Sequence, residues 1–403
     1  MSLFRQNRKA IVVTFLLAMT FCNVALPLRL IAKLRNGYQD FTIFYTGARL
    51  LQTGQAATLY NLATQYRMQQ TFTKVPIRLG PLPFNHPPFE ALFFVPLTWL
   101  GYWPAYLLWT VLNLIMLAVT VLLLRRHFPA FAAAPGMVVG LGATAYFPIA
   151  IGIIQGQDII FLLLLCVLAV ICLDGDKDAL AGAILGVGLF RPQTVVPLAV
   201  IFAVRRWRVL AGFAPVAIAL GGVSVALMGW RGPLDYVRFV LHLEGTDSRA
   251  FGPEAVPNLR GLVQELPGLS ATGTAAHLLI VASSILVLMV ALRRIRKGRD
   301  SMLYVFSLAT ATTILINFHA LVYDFTLLLP MALLLLIRTA GREGEFEGHE
   351  PDASTITLVV LLYLTPLYIF LLLAVDRFFL FSLILLWLYA RLLLTPAPAE
   401  VPA

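Results

Sequence analysis

Charge is the scarcest commodity in this 403-residue chain: Asp and Glu number only 20 against 30 Lys and Arg, and charged residues of both signs make up 12%. Soluble domains carry about 25% charged and about 45–50% apolar residues, whereas here 60% are apolar and the mean hydropathy is +0.85. A water-soluble fold is excluded. Cysteine is nearly absent, and Cys22, Cys166 and Cys172 sit in apolar stretches without close pairing, which excludes a disulfide framework and a CxxC metal site. No Walker A loop and no HExxH occur, and the histidines show no ligand spacing, so neither an ATP-driven pump nor a metal or other cofactor is indicated. Short alternating segments are missing too, which excludes a β-barrel.

Long apolar runs are what remains. They predict an all-α polytopic membrane protein, because a backbone in lipid must satisfy its own hydrogen bonds. Apolar length and closing Pro, Gly or charged residues place about twelve spans at 10–30, 88–100, 104–124, 132–154, 159–173, 179–204, 209–228, 275–292, 302–318, 325–337, 355–375 and 378–394. Arg5, Arg8 and Lys9 before the run 10–28 read as the basic end of an uncleaved first helix, since no A-x-A site follows.

The formal charge of +10 lies in short clusters between helices, so it reads as topology signal and lipid-phosphate contact rather than nucleic-acid binding. With the N-terminus in the cytoplasm, Arg205, Arg206 and Arg208 fall inside, as do Arg293, Arg294, Arg296, Lys297 and Arg299. Arg125 and Arg126 fall outside, against the positive-inside rule. Either the helix count near 88–124 is off by one or these arginines bind phosphates.

The whole chain, 1–403, reads as one membrane domain with two long outer loops, 31–87 and 229–274, the places where binding chemistry sits on a helical scaffold. A Gly- and Glu-rich stretch within 338–353 reads as a flexible cytoplasmic tether, and 395–403, with three prolines, as a disordered tail. In the first loop, DFTIFYTGARLLQTG puts Phe41, Phe44, Tyr45, Ala48 and Leu51 on one helical face, predicting an amphipathic helix on the outer membrane surface. Asp40 at its start is either a helix cap or a general base for an acceptor hydroxyl. His86 and Glu90, four apart, pair with each other or touch substrate.

Arg191-Pro192-Gln193 interrupts a run of about 26 apolar residues, and an arginine there needs a carboxylate partner or a phosphate. Gln157, in the polar break Gln155-Gly156-Gln157-Asp158, is either part of a turn or an amide for sugar hydroxyls. Asn258 is a helix cap or a substrate contact, Arg260 a second phosphate contact, and His319 with Asp324 a helix-end pair or a phosphate contact and its orienting acid. Asp174-Gly175-Asp176 has the DxD pattern of nucleotide-sugar enzymes, but no nucleotide-binding domain surrounds it, and it reads as a turn.

The ordered motifs DFTIFYTGARLLQTG, NHPPFEALFFVPLTWLGYWPAYLLWTVLNL, Gly156-Gln157, LAGAILGVGLFRPQTVVPLAVIFAVRRWRVL, NLRGLVQEL and HALVYDFTLLLP together resemble glycosyltransferase family 87. The resemblance implies a GT-C fold in the plasma membrane and a catalytic site on the extracytoplasmic side. It also implies a polyprenyl-phosphate sugar donor, often mannose, a lipid-linked or envelope glycan acceptor, and an essential acid in the first outer loop, where Asp40 stands. Relatives usually carry Tyr where this chain has His86 and many carry Lys where it has Arg191. Arg191, Arg260, His319, His86, Tyr45, Gln157, Asn258 and Asp324 are the expected substrate contacts. Metal-independent, inverting transfer is the leading expectation and a lipid-linked-saccharide flippase the alternative, although internal repeats are not evident.

Overall fold

The computed structural model describes residues 2–73, 81–245, 252–297, 300–340 and 351–394. The expected tail, 341–350 of the expected tether, and Arg299 lie outside the described residues. Every described element is helical. All twelve apolar runs are largely helix, but twelve full spans do not follow. Five helices are long and apolar enough to cross a membrane: Asn7–Arg35, Tyr102–His127, Arg208–Met228, Thr274–Lys297 and Val322–Ala340. Two bent pairs raise the number to seven, Gly136–Ala145 with Phe147–Gln155 (54°) and Ala353–Tyr363 with Thr365–Ala374 (58°). The other apolar helices are 10–17 residues long, shorter than the ~20 residues a bilayer core asks of a helix.

Two of the corrections matter for the site. The run 179–204 is not one helix: Asp178–Val187 stops, a short 3-10 turn follows, and Pro192–Ala203 begins afresh after Arg191. Proline at the first turn of the new helix is where its missing N–H costs nothing. The run 88–100 is not a span either. It forms two short pieces, Glu90–Phe94 and Val95–Trp99, packed beneath the Phe41–Gln52 helix, with Phe94 stacked on Phe44 at 4.7 Å.

The second correction removes the anomaly at Arg125 and Arg126. Tyr102 begins its helix beside the first loop, its hydroxyl 2.7 Å from Thr42 Oγ1. The helix then runs to His127, which borders a hollow shared with Asp174, Gly175 and Lys177. Arg206 pairs with Asp176 at 2.6 Å at that end, and Arg205 donates to the Asp300 carbonyl while Arg294 pairs with the Asp300 carboxylate. One helix fewer between 88 and 124 therefore gathers Arg125 and Arg126 with Arg205, Arg206 and Arg294. The DxD turn belongs to the same end. Asp174 closes the 16-residue helix that opens after Asp158, about 24 Å away along the axis at ~1.5 Å per residue.

The loops are also more ordered than connectors. Loop 31–87 contains the end of the Ser2–Arg35 helix, Phe41–Gln52 and Leu62–Gln70; loop 229–274 contains Arg231–Gly245 and Leu259–Gln264. The Phe41–Gln52 helix is not the half-exposed surface helix expected. Nine of its 12 residues are buried, because the opposite face is covered by Tyr102, Tyr106 and Phe94 on one side and Phe84 and Leu59 on the other.

Small residues set the closest helix contact. A Cβ added to Gly182 would lie 1.8 Å from the Val209 carbonyl oxygen, and one added to Gly212 1.7 Å from that of Ala179, backbone atoms that cannot swing away. Gly182→Val and Gly212→Val should each lower the thermal unfolding midpoint in detergent, at a cost of at least about 1–3 kcal/mol from overpacking. Gly221→Ala, on the same helix with nothing within 4 Å, should leave the midpoint level or slightly raised. A midpoint unmoved by Gly212→Val would contradict the close crossing.

Candidate active site

The first loop meets the middle of the chain at one turn. The Phe147–Gln155 helix ends in Gly156, whose φ of +65° is left-handed and which lies so close to Phe41 that a Cβ would stand 2.7 Å from the Phe41 Cβ. Glycine alone fits both conditions. The turn is pinned by the helix behind it: Trp109 Nε1 donates to the Gly156 carbonyl at 2.9 Å and the Tyr106 hydroxyl to that of Ile154 at 2.9 Å. Gln157 and Asp158 are thereby held against the start of the Phe41–Gln52 helix.

Asp40 occupies the cap position of that helix, but its side chain makes no capping hydrogen bond. Instead Gln157 Nε2 donates to Asp40 Oδ2 at 2.8 Å, and the Asp40 backbone N–H donates to Gln155 Oε1 at 3.3 Å. Gln157 Oε1 in turn accepts from Arg191 Nη2. Of the two expectations for Asp40, the capping role is therefore not what the structure displays. The carboxylate is buried, 4% exposed, and oriented by a neutral amide that is itself oriented by a guanidinium.

Arg191 is the centre of this network. Its Nε donates to Asp158 Oδ1 at 2.6 Å and its Nη1 to Asp324 Oδ1 at 2.8 Å, and its guanidinium lies 5.3 Å from the Tyr323 ring centroid. All three nitrogens thus have protein partners. The break between the Asp178–Val187 and Pro192–Ala203 helices exists where this side chain must turn inward. Asp324 divides its carboxylate between Arg191 and the Leu321 backbone N–H, at 2.7 Å, so its oxygens hold Arg191 and cap a helix start instead of orienting His319.

His319 and Arg260 belong to a neighbouring group. Asn258 caps the Leu259–Gln264 helix, accepting from the Arg260 and Gly261 N–H groups, and its amide donates to the Asn317 carbonyl. Arg260 reaches across to the Phe318 carbonyl at 2.9 Å, with its guanidinium 4.1 Å from the Phe318 ring centroid. Asn317 Nδ2 donates to Thr194 Oγ1 at 3.3 Å, and Asn317 Oδ1 accepts from the His319 N–H at 3.0 Å. The second loop, the 317–319 bend and the start of the Pro192–Ala203 helix are therefore tied together beside Arg191. Tyr45, another expected contact, is likewise held by the fold. Its hydroxyl donates to the Leu100 carbonyl at 2.8 Å and its ring packs among Phe41, Phe72 and Tyr102, making it part of the wall.

Two acids complete the picture, and the sequence reading gave neither a catalytic part. Glu90 and Asp158 are 1% and 2% exposed, and together with His86 they bring one ligand atom each within 4.8 Å of one another. His86 Nδ1 lies 2.7 Å from Glu90 Oε2. Burial, with a smaller push from Arg191 and against a pull from Asp158, lowers the His86 imidazole to about 4, so the ring is neutral at physiological pH. Sequence spacing hid this grouping because Asp158 joins the His86–Glu90 pair only through the Gly156 turn; the expectation of no ligand cluster is corrected to that extent. Among the described residues, four buried carboxyl groups, those of Asp40, Glu90, Asp158 and Asp324, thus surround one buried guanidinium.

Removing that guanidinium leaves Asp158 and Asp324 buried without a cation. Arg191→Gln should destabilise the protein by about 3–5 kcal/mol, read as a large fall in the thermal midpoint in detergent. Arg191→Lys should recover only part of it, since an ammonium cannot span three partners with fork geometry. A midpoint for Arg191→Gln within a degree of the parent would show that the network carries no stability.

Comparison with known proteins matches the model of glycosyltransferase family 87 to residues 84–322, and no curated protein matches the chain. The matched segment contains His86, Glu90, Gln157, Asp158, Arg191, Asn258, Arg260 and His319, with Asp40 ahead of it and Asp324 just beyond. With well over half of its length matched, this helical, apolar chain belongs to glycosyltransferase family 87.

Proposed function

We propose that this glycosyltransferase moves a hexose, mannose in first place, from a polyprenyl monophosphate to a lipid-linked or envelope glycan acceptor, with inversion at the anomeric carbon. The observation that carries the reading is the buried chain from Asp40 through Gln157 to Arg191. It fixes one carboxylate at the junction of the first loop and the helical body, which is what a general base needs. Asp40 takes the proton of the acceptor hydroxyl as the oxygen attacks the anomeric carbon, and the sugar–phosphate bond breaks on the opposite face. A single displacement of this kind inverts configuration.

Arg191 is the positioning residue in this scheme. Its guanidinium faces protein acids, so the charge that meets the departing phosphate is assigned to Arg260 and His319, held together by the Asn258–Asn317 tie. Electrostatic stabilisation of a leaving phosphate is strongest where water is scarce. By the positive-inside rule, Arg125, Arg126, Arg205, Arg206 and Arg294 support a cytoplasmic reading of their end, and so an extracytoplasmic reading of the Asp40 end at the plasma membrane. A carrier lipid presents its phosphate at such a boundary with the prenyl chain left in the bilayer.

Purified protein supplied with a panel of radiolabelled prenyl-phosphate sugars tests the reading. Label should enter an acceptor from one donor. Asp40→Asn should lower the rate by about 10²–10⁴-fold, the usual range for a lost general base, with the thermal midpoint near that of the parent. Arg260→Ala should weaken use of the phosphate donor more than that of the acceptor. A folded Asp40→Asn protein that transfers sugar at the native rate would remove Asp40 from the mechanism, and a flippase would behave in that way.

A further inference from the structure

We propose that His86, Glu90 and Asp158 form a site for one divalent transition-metal ion, of the Zn²⁺ or Mn²⁺ class, set into the wall of the Asp40–Arg191 network. Nothing in the glycosyl-transfer reading requires such an ion, and the inference stands on the geometry of these three side chains.

The first observation is convergence. An imidazole nitrogen and two carboxylate oxygens, one ligand atom per residue, lie within 4.8 Å of one another. Zinc bonds of about 2.0–2.2 Å to nitrogen and oxygen put neighbouring ligand atoms about 3–4 Å apart, a spacing these side chains reach by small rotations. The second observation is what the groups lack. Glu90 Oε1, Glu90 Oε2 and Asp158 Oδ2 are all buried, and with both acids ionised none of them has a hydrogen-bond donor among the described residues, although the two carboxyl groups face one another closely enough to share a proton. Glu90 Oε2 and His86 Nδ1 are 2.7 Å apart, yet without the angle a hydrogen bond needs. Buried polar atoms are nearly always satisfied, and three orphaned carboxylate oxygens at one point ask for a missing partner.

Charge balance points to the same partner. Among the described residues Arg191 is the one buried cation in the network, and its nitrogens serve Asp158, Asp324 and Gln157. Asp158 gives Oδ1 to Arg191 and keeps Oδ2 for the cluster, while Glu90 has no cation among these contacts. Two carboxylates this close in a dry environment are held together either by a shared proton or by a metal ion. The donor set favours the ion. One imidazole with two carboxylates suits zinc or manganese, whereas magnesium and calcium prefer oxygen throughout. Access exists, because the His86 side chain is 13% exposed while Glu90 is 1%. Three protein ligands also leave a coordination position open, the pattern of catalytic rather than structural zinc sites.

The test reads metal directly. Full-length protein in detergent, stripped with chelator and re-equilibrated with Zn²⁺ or Mn²⁺ at micromolar concentration, should retain about one ion per chain by elemental analysis, and Co²⁺ should give a ligand-field absorption band. Glu90→Gln and Asp158→Asn should lower affinity by at least about 100-fold, since each removes a first ligand. His86→Gln, at the more exposed ligand, should do the same if the buried variants fold poorly. Asp174→Asn, in the distant DxD turn, should leave uptake unchanged. Folded wild-type protein that retains no more Zn²⁺ or Mn²⁺ than Glu90→Gln, and shows no Co²⁺ band, would overturn the proposal and leave a proton between the two acids. Metal content is read without a sugar-transfer assay, so this result and the fate of the glycosyltransferase mechanism are separable.

Discussion

A guanidinium enclosed by protein is the constraint on which the rest of this structure depends. Taking a charge out of water costs several kcal/mol even after relaxation, so Arg191 is tolerable only while Asp158, Asp324 and Gln157 remain around it. Those partners come from distant parts of the chain: the turn after the Phe147–Gln155 helix and the start of the Val322–Ala340 span. Satisfying one side chain therefore fixes three segments relative to one another. The broken helix at 188–191 and the left-handed Gly156 turn are the local conformations that allow it.

The same constraint reaches the first loop through a neutral intermediary. Gln157 accepts from Arg191 and donates to Asp40, so the orientation of the carboxylate follows that of the guanidinium without the two charges pairing directly. An amide between them transmits geometry from one charged group to the other. The two ends of the molecule are correspondingly unlike. Arginines with short, half-exposed ion pairs gather at one, and a buried network of acids around Arg191 lies at the other.

Much of this was legible in the residues, and the remainder was hidden for identifiable reasons. Apolar length located the twelve apolar helical runs, because the bilayer imposes that signal locally, but it missed Leu62–Gln70 and Arg231–Gly245 within the loops. It overstated the number of spans, because a run of about 13–26 apolar residues reads alike whether it crosses lipid, bends at a proline or tucks under a loop. Pro88–Leu100 is the instructive case: broken into two short helices whose inner side packs against the Phe41–Gln52 helix, it looked like a span and displaced Arg125 and Arg126 to the other end. Asp40, Arg191 and Gln157 stood out as polar residues in costly surroundings. What no spacing rule could give was their pairing, nor the meeting of Asp158 with His86 and Glu90, since these depend on one glycine turn and on contacts between residues from 34 to 117 positions apart. Tyr45 shows the same limit. A tyrosine beside a candidate acid on a helix invites a substrate role, and the sequence does not reveal that its ring is buried and its hydroxyl donates to the Leu100 carbonyl.

The central claim is that Gln157 and Arg191 act on Asp40 as one unit, and a double-mutant cycle on kcat/KM measures it most directly. Gln157→Ala, Arg191→Lys and the double variant, each with a confirmed folded state, should give a coupling of about 1–3 kcal/mol, the double variant losing far less than the two single losses combined. Losses that simply add would mean that the guanidinium and the amide influence transfer independently, and the relay would have to be abandoned.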